Sequence, residues 1–225
     1  MMLPVVSSIL AGALLWLDRV FIFQSMVSRP IILSPILGLI LGNVTIGFLI
    51  GASLELLWLN APPVGAYLPN DESFCAAAAT PTAVLASAHM SDAAAAGFAL
   101  AASLPFAVVG RTLDTHIRML NQDLIHRIPE GRMEPALRNA IGKALLRSYL
   151  YALAALGISV GLLCTAVILV GEILPDAVKT ALSYIPLAGV VIGLAGLMTK
   201  EVPRPVQAGL FILGIVIILM ISWIP

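Results

Sequence analysis

Long apolar runs separated by a few charged stretches set the organisation of this chain. Over its last third, runs at 149–170, 181–198 and 208–223 are divided by charged stretches at 172–179 and 200–204. A helix needs about 20 residues to cross the hydrocarbon of a bilayer, so each run is predicted to be a transmembrane helix. Ahead of them, 111–147 holds the seven basic residues Arg111, Arg118, Arg127, Arg132, Arg138, Lys143 and Arg147 against the four acids Asp114, Asp123, Glu130 and Glu134. A basic excess in a short loop marks the cytoplasmic side. Counting crossings from there puts Asp176 and Lys179 outside, the second basic turn at 200–204 inside and residue 225 outside. Within 111–147, Leu113, Ile117, Leu120, Leu124 and Ile128 recur at helical spacing, as do Met133, Leu137, Ile141 and Leu145 after a break at 129–131. That period predicts two amphipathic helices, lying on the membrane surface, docking a partner, or folded as a hairpin against their own protein.

The first half has a different pattern. Residues 31–60 are apolar for longer than one straight crossing, are studded with Gly38, Gly42, Gly47 and Gly51, and carry Asn43 and Glu55. There follows Ala61-Pro62-Pro63-Val64-Gly65-Ala66-Tyr67-Leu68-Pro69-Asn70-Asp71-Glu72, which a regular membrane helix does not tolerate; Ala-rich apolar sequence then resumes over 75–110. Irregular backbone survives at membrane depth only where protein or a water-filled cavity satisfies its polar groups, the pattern of a broken or re-entrant segment lining a substrate path. Pro35, Gly38 and Gly42 share their spacing with Pro186, Gly189 and Gly193, an echo open to two readings: an internal repeat or close helix packing at small residues. At the N-terminus no Lys or Arg precedes the apolar stretch 1–17, and Asp18 and Arg19 follow it where a cleavage site would need small residues, so a retained segment is expected. The fold expected is all-α, a polytopic integral membrane protein with broken or re-entrant helices in its N-terminal half. It is read as one membrane domain over 1–225, divided into a substrate-site half (1–110), a cytoplasmic amphipathic stretch (111–147) and C-terminal transmembrane helices (148–225).

Composition agrees. Hydrophobic residues make up 60% of the 225 and charged residues 11%, against about 45–50% and about 25% in soluble domains. Twelve Lys and Arg balance twelve Asp and Glu, so the basic surplus of a nucleic-acid-binding protein is missing. Cys75 and Cys164 lie in apolar surroundings without CxxC or Cys/His spacing, which points to packing and not to a disulfide or a zinc site. The sequence holds no GxxxxGK[ST], HExxH or GxSxG and no clustered His/Cys/Asp set, so nucleotide hydrolysis, metal chemistry and a bound cofactor have no support.

Among polar residues in apolar context, Glu55 is the sharpest candidate. A carboxylate flanked by apolar residues within a membrane segment is costly and marks either function or a structural ion pair, here with Arg19 or Arg29. Asn70 and Asp71, after the proline-rich break, offer the amide and carboxylate oxygens that hydrogen-bond sugar hydroxyls, unless they are solvated loop residues. Gln24 offers an amide to a polyol or to a broken backbone. Trp58 and Tyr67 suit either a sugar face or interfacial anchoring. Asp92 is expected to cap the Ala-rich helix after it, and His116 and His126 are read as solvated.

Taken in order, Ser28-Arg29-Pro30, Gly38-Leu-Ile-Leu-Gly-Asn43, Gly47-x3-Gly51-x3-Glu55-Leu-Leu-Trp-Leu59, Pro63-Val-Gly-Ala-Tyr67 and Pro69-Asn-Asp-Glu72 resemble the signature region of IIC proteins of the mannose–fructose–sorbose family of the bacterial phosphotransferase system. The resemblance is specific over about 19–80 and elsewhere rests on hydropathy and order. It implies a multi-pass protein of the bacterial inner membrane that translocates a hexose or related sugar. The implied complex contains a second membrane subunit, IID, and cytoplasmic IIA and IIB proteins, or a fused IIAB, that relay phosphate from phosphoenolpyruvate. On this reading the chain is a permease and not itself an enzyme, IIB phosphorylates the arriving sugar, and 111–147 is a docking surface. The resemblance carries sugar contacts onto Glu55 and Asp71, with Gln24 and Asn70 after them. The competing expectations are a regulatory or structural membrane subunit and an ion-coupled transporter unconnected with phosphotransfer.

Overall fold

The computed structural model describes residues 2–59, 68–126 and 133–198 and the isolated positions 203, 205, 206, 209 and 212. Every regular element among them is helical: α1 (Met2–Trp16), a 3₁₀ turn (Leu17–Arg19), α2 (Pro30–Leu41), α3 (Val44–Trp58), α4 (Glu72–Ala86), α5 (Asp92–His126), α6 (Met133–Val170), α7 (Asp176–Ser183) and α8 (Ile185–Met198).

The overlong apolar run at 31–60 resolves into two helices. Pro30 opens α2 at a position where its missing N–H costs nothing. Gly42 closes it at φ 83°, the left-handed conformation that glycine adopts without penalty. One residue on, the Asn43 side chain accepts the Ile46 N–H at 3.1 Å and starts α3. The two helices have 12 and 15 residues, about 18 and 22 Å at about 1.5 Å per residue, so each falls short of a hydrocarbon core of about 30 Å. They lie closely against one another because Gly47 has no side chain: a Cβ there would stand 2.5 Å from the Ser34 carbonyl oxygen and 2.8 Å from Pro35 Cα.

Central to the bundle is α4, also 15 residues long. Ala76, Ala77, Ala78 and Ala79 are all buried, and α1, α2, α3, α5 and α6 pack around them. Trp16, Leu33, Leu37, Ile46, Ile50, Leu54, Phe74, Ile117, Leu156 and Val160 complete this core. Cys75 is buried beside Ser103, both free cysteines serving as packing residues here.

Three helical stretches, Asp92–Leu124, Pro135–Val170 and Asp176–Gly196, are long and apolar enough to cross a bilayer. Leu150, Ile158, Leu162, Ile168 and Leu169 leave an exposed apolar face along α6, as a lipid-facing helix must.

The helical periods within 111–147 are real, but they do not mark two separate surface helices. They are the ends of α5 and α6, of 35 and 38 residues, about 52 and 57 Å long at about 1.5 Å per residue. Arg147 donates to the Leu120 carbonyl at 2.7 Å and Asn121 to Ser148 Oγ at 3.1 Å, pairing the two as an antiparallel hairpin. Backbone hydrogen bonding does not stop where hydropathy falls, and no proline or glycine lies between Gly110 and His126 to stop it. The run at 181–198 divides at Tyr184 into α7 and α8, while the run at 208–223 lies outside the described residues apart from isolated positions. The echoed Pro/Gly spacing reflects close packing: α2 and α8 both lie against α3, but Gly42 is a turn whereas Gly193 meets the Leu56 backbone. The expected cap at Asp92 is displaced by one residue. Ser91 Oγ accepts the Ala94 N–H at 3.4 Å, and Asp92 instead accepts from the Asn43 amide at 3.2 Å.

Candidate functional site

A cavity of about 560 Å³, lined by charged, polar and apolar side chains, opens where several short elements end together. Its walls come from the 3₁₀ turn (Asp18, Arg19), the loop at 20–29 (Gln24, Met26, Ser28, Arg29), the end of α3 (Trp58, Leu59), the approach to α4 (Leu68, Pro69, Glu72, Ser73) and α5 (Asp114, Arg118).

Asp18 holds the loop in shape. Its Oδ1 accepts the Ser25 N–H at 2.9 Å and the Ser25 hydroxyl at 2.7 Å, and its Oδ2 accepts the N–H groups of Val27 and Ser28 at 2.9 and 3.3 Å. The loop needs that support because Phe23, Gln24 and Met26 have φ of 32°, 53° and 66°, a region costing about 1–3 kcal/mol for each such side chain. We expect Asp18→Ala to speed amide hydrogen exchange at 25–28 at least about tenfold, since hydrogen bonds to a charged acceptor are each worth about 1.5–3 kcal/mol; unchanged exchange would mean the loop is held by other contacts.

Each arginine of the wall is held by its own acid. Glu55 Oε1 takes Arg29 at 2.9 Å, with its other oxygen 3.4 Å from the Ile31 N–H. Asp71, fully buried, takes Arg19 at 2.7 Å. Asp114 takes Arg118 through two contacts of 3.0 Å, one helical turn away. Glu55 and Asp71 also stand at the N-termini of α2 and α4, where unpaired N–H groups and the helix dipole favour negative charge. Asp71 Oδ1 accepts the Phe74 N–H at 2.9 Å as the cap of α4.

Of the residues singled out in the sequence, Gln24 lines the cavity, its amide N–H₂ donating to the Val20 carbonyl at 3.1 Å. Glu55 and Asp71 lie one layer behind the wall, joined to it through Arg29 and Arg19. Asn70 is half-buried between wall residue Pro69 and Asp71, Trp58 lines the wall, and Tyr67 lies outside the described residues. Glu72 was missed: it faces the cavity and forms no ion pair with another described residue. The signal was its place beside Asp71. The cap residue turns inward, and the first helical residue then points elsewhere around the axis. Asp114 and Arg118 were read only as members of a charged surface stretch, although their i,i+4 spacing marks a pair.

A wall that alternates guanidinium donors with carboxylate and amide acceptors suits a polyhydroxylated, neutral solute, because each hydroxyl both donates and accepts. The cavity volume lies in the range of small-molecule sites, about 300–1,000 Å³.

Fold and site together define a polytopic α-helical membrane protein whose broken helices border a cavity that carries charged side chains. The chain belongs to the sorbose-specific IIC component family of the phosphotransferase system, which it matches over residues 2–222. It is 49% identical over 43 residues to a putative N-acetylgalactosamine permease IIC component 2 of Escherichia coli (strain K12). That match covers 19% of this chain and 32% of the relative, so the chain spans about a third of that relative's length. The fold is shared with a solved membrane protein at TM-score 0.62 and 19% identity, and with the mannose transporter ManYZ, seen in complex with microcin E492, at TM-score 0.56 and 20% identity. Each comparison covers 96% of this chain and 86% of the other.

Proposed function

We propose that this chain is the sugar-translocating IIC subunit of a mannose-type phosphotransferase system in a bacterial inner membrane. The cavity carries the reading: a charged, hydrogen-bonding pocket ringed by helix ends, in a chain of this family, suits a hexose or related sugar. Gln24 and Glu72 contact the sugar directly, Glu55 acts with Arg29, and Asn70 and Asp71 shape the α4 side of the wall. Family membership supports a complex with a IID membrane subunit and with cytoplasmic IIA and IIB proteins, which carry the phosphoryl group and esterify the sugar as it arrives. The charged stretch 111–147 is the surface offered to IIB.

Vesicles containing this chain and its membrane partner, loaded with IIA, IIB and the phosphoryl-transfer components, test the proposal with mannose, N-acetylgalactosamine and sorbose. Accumulation of one of them as a phosphate ester, dependent on phosphoenolpyruvate, is expected. Uptake that needs no phosphoenolpyruvate and collapses with an uncoupler would replace the proposal with ion-coupled transport. Binding of none of the three by the intact complex would favour a structural or regulatory subunit.

A further inference from the structure

We propose that Asp71 and Trp16 are positioning residues for Arg19, acting on the sugar through that guanidinium and never touching it; the inference rests on the cavity being the sugar site. Asp71 is fully buried and Trp16 is 2% exposed, and neither lines the cavity, whereas Arg19 does. Trp16 Nε1 donates to Asp71 Oδ2 at 2.7 Å, and an Arg19 terminal nitrogen forms its ion pair with the same oxygen, also at 2.7 Å. The carboxylate cannot turn away from them, because its other oxygen caps α4 through the Phe74 N–H and its own backbone N–H donates to the Ala107 carbonyl of α5 at 2.9 Å. Gly110 makes room for this: a Cβ there would lie 2.6 Å from the Cβ atoms of both Asp71 and Phe74. Asp71 thus joins α1, α4 and α5 and aims the last side chain of the 3₁₀ turn.

The remaining N–H groups of Arg19 have no acceptor among the described residues. A free arginine side chain samples many rotamers, and fixing its direction before the ligand arrives removes that ordering cost from binding. Arg19 therefore presents preset donors to an acceptor oxygen of the sugar, a ring hydroxyl or an acetamido carbonyl.

Affinity of the intact complex, measured for whichever of mannose, N-acetylgalactosamine and sorbose it binds, tests this with single and double variants at matched folded yield. Arg19→Gln and Asp71→Asn are each expected to weaken binding about 10- to 100-fold, the range of a hydrogen bond to a charged group. Trp16→Phe, which removes only the indole N–H, should weaken it about 3- to 10-fold, as for one ordinary hydrogen bond. Neither Asp71→Asn nor Trp16→Phe should weaken binding further once Arg19 is Gln. Additive losses in those doubles would overturn the inference, since they would place Asp71 on the sugar or reduce both residues to general scaffolding. If Asp71→Asn does not fold, the Trp16→Phe pair of measurements decides alone. A readout without ligand separates failure here from failure of the sugar reading: modification of Arg19 by phenylglyoxal, followed by mass spectrometry. It should rise several-fold in Trp16→Phe, and an unchanged rate would overturn the inference even if no sugar bound.

Discussion

Glu72→Gln is expected to lower sugar affinity about 10- to 100-fold with no loss of folded yield, because a hydrogen bond to a charged acceptor is worth about 1.5–3 kcal/mol. The substitution keeps the size of the side chain and removes the one wall carboxylate that neither an arginine nor a loop backbone occupies among the described residues. Arg19 and Arg29 line the same cavity without forming an ion pair with it, so Glu72 can turn its oxygens toward hydroxyls while those guanidinium groups supply donors alongside. Titration calorimetry on the purified complex measures the effect. An affinity equal to that of the unaltered protein would move the sugar out of this cavity. Glu55→Gln gives the contrasting pattern: it leaves Arg29, 39% exposed, without its partner, and so should disturb the wall through the arginine.

Gly47→Val is expected to destabilise the protein by about 3 kcal/mol or more, the upper end of overpacking costs. The Cβ that Val adds would meet the Ser34 carbonyl oxygen at 2.5 Å and Pro35 Cα at 2.8 Å. Both are backbone atoms of a helix, so no flexible side chain can yield. Relief requires α2 and α3 to part, and Arg29 is the residue immediately before α2 while α3 carries Glu55. Stability and the Arg29–Glu55 contact should therefore fail together, read as a lowered thermal midpoint in detergent and lost sugar binding. Gly142→Ala is the control. A Cβ at that position on α6 meets nothing within 4 Å, and replacing a mid-helix glycine by alanine should leave the midpoint unchanged or raise it, by about 0.5–1 kcal/mol. A midpoint equally unmoved in Gly47→Val would mean that the α2–α3 contact is looser than the glycine geometry requires.

Much of the architecture was legible because its signals are local. Hydropathy marked the membrane segments, and the Pro/Asn/Asp stretch before α4 marked the break. Glu55 stood out because a carboxylate there demands a partner, and Arg29 was one of the two candidates named from sequence. What escaped depended on three-dimensional register. The turn at Gly42 and Asn43 hides within an uninterrupted apolar run, since its signals are a left-handed glycine and a capping amide and not a change in polarity. The extent of α5 and α6 was obscured by the opposite fault: the drop in hydropathy at Arg111 looked like a boundary, although nothing in the residues that follow breaks a helix. In the site, the sequence singled out the costly acids, and the structure sets two of them one layer behind the wall with Glu72 at its surface. Cost marks burial, and burial alone does not distinguish a group that meets a ligand from one that holds its neighbour.

The continuity of α5 has a mechanical consequence. Asp114 and Arg118 stand in the cavity wall, and the helix runs on to His126, 12 residues beyond Asp114, about 18 Å at about 1.5 Å per residue. Helices bend sharply at prolines, glycine pairs or inserted groups, and neither proline nor glycine occurs in that interval. The segment is a stiff rod with one end in the cavity wall. A push or twist at its far end has no joint to absorb it, so it arrives at the Asp114–Arg118 pair as a displacement of the wall itself.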